Sequence, residues 1–145
     1  MDTHSPSRGF TLMELIATVT IIGVMAAYGF PQLMKVTEQS RVDLACANLE
    51  SIWTAQRLYK AKTGDFTDKI PDLSDFLDES FLNTIEGTDS AFAYSMSTPT
   101  VTAFEIYAER QNSKSWAGTI MLNSTGTFSG NVFSGDMIIM PAPIR

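Results

Sequence analysis

Few side chains in this sequence are placed to do chemistry, and the most conspicuous is a carboxylate in an apolar setting. Glu14 stands at the head of Leu15–Met34, twenty residues without a charge, and the next charged side chain is Lys35. An ionisable group at the mouth of such a run is costly to desolvate, so it points to a function. The residues before it are Ser7-Arg8-Gly9-Phe10-Thr11-Leu12-Met13. Gly9 has no side chain and lets a protein cleft approach its backbone closely. Arg8 is a basic flank of the kind held on the cytoplasmic side of a membrane.

Elsewhere the reactive residue types do not assemble into a catalytic set. His4 is the single histidine and Cys46 the single cysteine, and the many Ser and Thr residues lack an evident base. No enzyme is expected. Cys46 cannot form an intramolecular disulfide, and between Ala45 and Ala47 it reads as a small buried hydrophobe. Asp65, Asp68, Asp72, Asp75 and Asp78 invite a calcium site, but their spacing lacks the glycine turn, alternating oxygens and bidentate Glu of a calcium loop. No metal site and no cofactor are assigned, calcium being the one ion left open. The net charge is −6, and Lys35, Arg41, Arg57, Lys60, Lys62 and Lys69 are scattered among acids. Phosphate binding needs clustered bases, so no nucleic-acid partner is expected.

The elements that must position Glu14 follow from periodicity. Twenty helical residues extend about 30 Å, the thickness of a bilayer core. The run is compatible with a secretory signal peptide, with Leu15–Val24 as its apolar core and Val24-Met25-Ala26 as its cleavage site. It is equally compatible with a plain membrane anchor that leaves residues 35–145 outside. Neither reading explains Glu14. Beyond Lys35 the helical period continues in amphipathic form: Val42, Ala45, Leu49, Ile52, Gln56 and Tyr59 make an apolar stripe with Trp53 beside it. Glu38, Arg41, Asp43, Glu50, Arg57 and Lys60 are assigned to the other faces. Thr63-Gly64-Asp65 is a stop signal, which gives one helix from about Leu12 to Lys62.

Residues 64–90 read as an acidic connector with a short helix over Ser74–Leu82, capped by Ser74. Later the period changes to that of strands, at 92–96, 101–108 and 117–122. Asn123-Ser124-Thr125-Gly126 makes a turn and Thr127-Phe128 begins a return strand. Gly130–Arg145, with Pro141 and Pro143, is expected to be an irregular tail. The fold class is α+β: a long N-terminal helix packed on a small antiparallel sheet of three or four strands.

The string Arg8-Gly9-Phe10-Thr11-Leu12-Met13-Glu14-Leu15 resembles the processing site of type IV pilins and type II secretion pseudopilins, with Met13 where valine or leucine is more usual. The resemblance is specific over residues 8–34. It implies a leader, Met1–Gly9, cut by prepilin peptidase between Gly9 and Phe10, and N-methylation of the new Phe10 amine. Glu14 would then pair with the Phe10 amine of a neighbouring subunit. Pro31 falls at the twenty-second position of such a mature chain, where the family commonly carries a helix-kinking proline; its missing N–H is expected to loosen the helix around Ala27–Phe30.

The organisation implied is leader 1–9, membrane and filament-core helix 10–34, amphipathic half 35–63, and α+β head 64–145. The implied partners are prepilin peptidase, other pilin or pseudopilin subunits, an inner-membrane assembly platform and lipid. The implied location is the inner membrane, N-terminus cytoplasmic and head periplasmic, followed by a filament in the periplasm or at the cell surface. Some secretion pseudopilins bind calcium in a C-terminal loop, where this chain offers only Asp136. Pilus major subunits often close their C-terminal region with a disulfide, which a single cysteine cannot do. That favours a pseudopilin over a pilus subunit. The alternative function is an exported binding domain with an ordinary signal peptide, whose mature chain would start near Ala27.

Overall fold

A computed structural model describes residues 9–87 and 89–141. Residues 1–8 of the leader, Arg8 among them, and Pro143 lie outside the described residues. The chain divides after Thr37 into two compact units. Helix α1, Leu12–Thr63, supplies most of the first and continues into the second. It ends where expected: Gly64, at φ +97°, donates its N–H to Lys60 O at 2.8 Å. A side chain is strained in that backbone region, so glycine suits the cap.

In the second unit α1 is followed by a 3₁₀ turn, Ile70–Leu73, a short helix α2, Glu79–Glu86, and strands β1 Phe92–Met96, β2 Glu105–Arg110, β3 Ala117–Asn123, β4 Phe128–Ser134 and β5 Met137–Ile139. The five strands form one antiparallel meander in sequence order. Alternation along each strand sends Phe92, Ile106, Ala108, Ile120, Leu122, Val132 and Ile139 into one core with Val42, Ala45, Cys46, Leu49, Ile52 and Ala55 of α1. Cys46 is fully buried, as its apolar neighbours suggested.

Buried polar groups join the helix to the chain that follows it. Gln56 is fully buried; its Nε2 donates to Thr67 O at 2.6 Å and its Oε1 accepts from Thr67 N at 3.3 Å. That side chain replaces a missing strand for the connector, whose backbone would otherwise be buried without partners. Asn48 Nδ2 donates to the Tyr94 hydroxyl at 2.9 Å, and Trp53 Nε1 to Ser124 O at 3.2 Å.

Four expectations require correction. Glu38 is not on an outer face: it is 1% exposed and ion-paired with Arg110 at the end of β2. The helical spacing 38–42–45–49 puts it on the core side, and a base 72 residues away makes its burial tolerable. The short helix lies later than Ser74–Leu82, because Ser74 closes the 3₁₀ turn and Asp78 precedes α2. Pro71 in the first turn of the 3₁₀ segment and the Phe76 and Leu77 N–H bonds to Leu73 O consume that stretch in tight turns. Strand β2 begins at Glu105, not Val101, since Thr100 and Ala103 are tied in a turn, Thr100 N to Ala103 O at 2.8 Å.

Finally, residues 130–139 are strands rather than an irregular tail. Gly130, read as a break, sits inside β4 at φ +87°, opposite Ile120, and a Cβ there would lie 2.1 Å from Thr119 O. The glycine marks close backbone approach, not the end of pairing.

Candidate functional site

The N-terminal unit shows what Glu14 does within one chain. Thr11 immediately precedes α1, and Thr11 Oγ1 accepts the Glu14 N–H at 3.2 Å. The Glu14 carboxylate reaches back to accept from Thr11 N and Thr11 Oγ1, both at 3.4 Å. This is a reciprocal capping box, which satisfies two of the N–H groups a helix start leaves without partners. The signal was present in the sequence as Thr-x-x-Glu before an apolar run, and attention to the carboxylate alone missed it. The box fixes Glu14 at the first turn, where a negative charge also suits the helix dipole.

Gly9 and Phe10 stand clear of the other described residues. Phe10 is 78% exposed, and a Cβ on Gly9 would meet nothing within 4 Å. Gly9 is not in the left-handed region either, so folding makes no demand for glycine at this position. Gly23 and Gly29 are equally free of neighbours.

The helix that carries Glu14 is uncovered. Fifteen large apolar side chains between Phe10 and Val36 are 41–79% exposed. At about 1.5–3 kcal/mol for burying each, covering them is worth tens of kcal/mol, far more than any local interaction in this unit. An 18-residue window of α1 has mean hydropathy 1.8 with none of it buried, so the helix is long and apolar enough to cross a membrane. The two threonine hydroxyls of the uncharged run Leu15–Met34 are turned inward on their own backbone: Thr18 Oγ1 donates to Leu15 O at 2.8 Å and Thr20 Oγ1 to Ile16 O at 2.7 Å. That lowers the cost of placing them in an apolar medium. Pro31 has no N–H to give to Ala27 O, and α1 remains helical through it.

In the second unit the buried ion pair joins Glu38 to Arg110. Glu38 accepts from Arg110 through both Nε and Nη2, the latter at 3.2 Å, and from Arg41 Nη1 at 2.9 Å. Burial alone would raise its pKa, but the two guanidinium groups outweigh burial and hold the carboxyl below the usual range. Arg110 also donates to Ala91 O at 2.9 Å and to Gln111 O. The acidic connector does not converge on an ion. Asp72 accepts from Thr67 Oγ1 at 2.6 Å, Asp75 pairs with Lys62 at 2.7 Å and Asp78 accepts from Ser80 Oγ at 3.0 Å. Among the described residues no three His, Cys, Asp or Glu side chains come together as a metal site would need.

Comparison with known proteins agrees with the geometry. Residues 4–30 match the family model of the prokaryotic N-terminal methylation motif. The chain is 39% identical over 67 residues to the type IV major pilin protein PilA of Myxococcus xanthus, covering 44% of this chain and 30% of that one. It is 38% identical over 52 residues to the type II secretion system core protein G of Pseudomonas aeruginosa, covering 36% and 37%. It is 40% identical over 48 residues to a fimbrial protein of Pseudomonas aeruginosa, covering 33% and 31%. The matched segments thus span about a third of the length of these curated relatives. The chain therefore carries the methylation motif at its N-terminus, followed by a 52-residue first helix and a five-stranded antiparallel sheet, and over 33–44% of its length it is similar to type IV pilin and type II secretion core proteins.

Proposed function

We propose that this protein is a non-enzymatic structural subunit of a filament, either a type II secretion pseudopilus or a type IV pilus-like fibre. The observation that carries the reading is Glu14: a carboxylate one turn past the Gly9–Phe10 junction, at the head of an uncovered apolar helix. In this reading prepilin peptidase cuts between Gly9 and Phe10 and methylates the new amine, with Arg8 keeping the leader cytoplasmic. The subunit then waits in the inner membrane, its helix in lipid and its head periplasmic, until an assembly platform inserts it in the fibre.

Assembly exchanges lipid for like helices around Leu12–Met34, with Gly23 and Gly29 leaving room for close approach. Pro31 weakens the helix locally by withholding one bond. Glu14 meets the Phe10 amine of a neighbour. An unpaired charge in an apolar core costs several kcal/mol, so the pair penalises wrong registers as strongly as it favours the right one. Thr11 holds Glu14 only through uncharged donors at 3.4 Å, which a full positive charge at shorter range displaces. The single cysteine supports a pseudopilin over a pilus major subunit. A cleaved signal peptide is not favoured, because the motif matched over residues 4–30 runs past its cleavage site.

The test is the mature N-terminus, read by mass spectrometry of protein from native membranes. A chain starting at N-methylated Phe10 is expected, and Gly9→Val should accumulate uncut. A start near Ala27 would overturn the filament reading altogether.

A further inference from the structure

We infer that the open edge of β1 is a binding site for an extended polypeptide segment bearing apolar and basic residues, taken up as an additional strand. Among the described residues β1 pairs only with β2 and forms one border of the sheet. Ser97 N donates to Glu105 O and Gln111 N donates to Ala91 O. In an antiparallel ladder the paired residues alternate, so Ala93 and Ser95 also direct their backbone groups at β2. Tyr94 and Met96 therefore direct theirs outward, each presenting an N–H and a C=O along the edge.

That edge borders a groove of about 500 Å³. Ile70, Pro71 and Ile85 line it together with the strand and offer apolar surface to alternate side chains of an added segment. Asp68 and Glu86 stand at its rim, both exposed, and neither has an ion-pair partner among the described residues. The connector around them is strongly acidic, so an incoming strand with lysine or arginine is matched in charge and an acidic one is repelled.

The other border of the sheet is treated differently. β5 has three residues and is followed by Pro141 one residue past Met140, a short edge with a residue that cannot donate. β1 has five residues without proline or charge. The contrast makes β1, not β5, the edge left available for pairing. All the residues involved lie in the second unit, so the site does not depend on the filament reading.

The probe is a fluorescein-labelled peptide of four Lys-Val repeats, titrated by anisotropy against the full chain in neutral detergent micelles, with empty micelles as the blank. Saturable binding is expected, weakened at least tenfold in the variant carrying Asp68→Lys and Glu86→Lys. Both changes are at exposed positions, and an unchanged far-ultraviolet circular dichroism spectrum of the variant is the control for folding. The same peptide N-methylated at every amide should fail to bind, and bound peptide should slow amide exchange at Tyr94 and Met96 at least tenfold. Absence of saturable binding would overturn the inference. So would undiminished binding by the N-methylated peptide or the charge-reversed variant, or protection confined to other residues.

Discussion

Replacing Glu38 with Gln removes the charge opposite Arg110, whose side chain is 3% exposed. The guanidinium cannot lose its proton and cannot reach water without opening the core. Removing one partner of a buried pair costs about 3–5 kcal/mol. Arg110 keeps Ala91 O at 2.9 Å and Gln111 O as acceptors, so the lower end, about 3 kcal/mol, is expected. With a urea slope of ~1–3 kcal/mol per molar, the unfolding midpoint should fall by about 1–3 M. Trp53 and Trp116 both belong to the unit that holds the pair, so tryptophan fluorescence of the full chain in detergent reports its unfolding. The companion variant, Glu38→Met with Arg110→Met, should recover to within about 1 kcal/mol of the parent, because an apolar pair carries no desolvation penalty. A loss under ~1 kcal/mol for Glu38→Gln, or a double variant as unstable as the sum of its singles, would refute the reasoning.

The same pair sets an acid limit. Glu38 is held below its ordinary value of 4.5, so the unfolded chain takes up its proton first as pH falls. Its contribution is therefore complete above about pH 4.5 and is lost as pH drops through the lower folded value, and the urea midpoint of Glu38→Gln should lack that step. Thr11→Ala should cost the helix start about 1 kcal/mol, seen as faster amide exchange at Met13 and Glu14 in micelles. Gly130→Ala should destabilise by at least ~1–3 kcal/mol from backbone strain alone, with the Thr119 carbonyl contact added. Gly64→Ala, also at positive φ but with nothing within 4 Å, should show only the strain when both are compared by thermal unfolding.

Periodicity carried the reading of α1 well. The stripe Val42–Ala45–Leu49–Ile52–Gln56 and the stop at Gly64 were visible because helix faces and caps are local properties. The hairpin turn at Asn123–Gly126 was visible for the same reason: Asn123 Oδ1 accepts from both Thr125 N and Thr127 N, at 3.1 and 2.9 Å. The start of β2 and the strands after Gly130 were not. A glycine that breaks a strand and a glycine that permits a close strand crossing have one signature in sequence, and the opposing Thr119 carbonyl distinguishes them.

By itself the sequence determined the N-terminal segment: the Gly9–Phe10 junction, Glu14 and the uncharged run are contiguous, and contiguous residues on a helix need no tertiary information to be placed. It also determined that the helix continues as an amphipathic element with an α+β head. Only the tertiary structure decided that Glu38 is buried, that Gln56 holds the connector through Thr67, and that β1 rather than β5 keeps an open edge. Those outcomes depend on partners far apart in the chain, such as Arg110 for Glu38, and the free energy that selects them arises only when desolvation and pairing occur together.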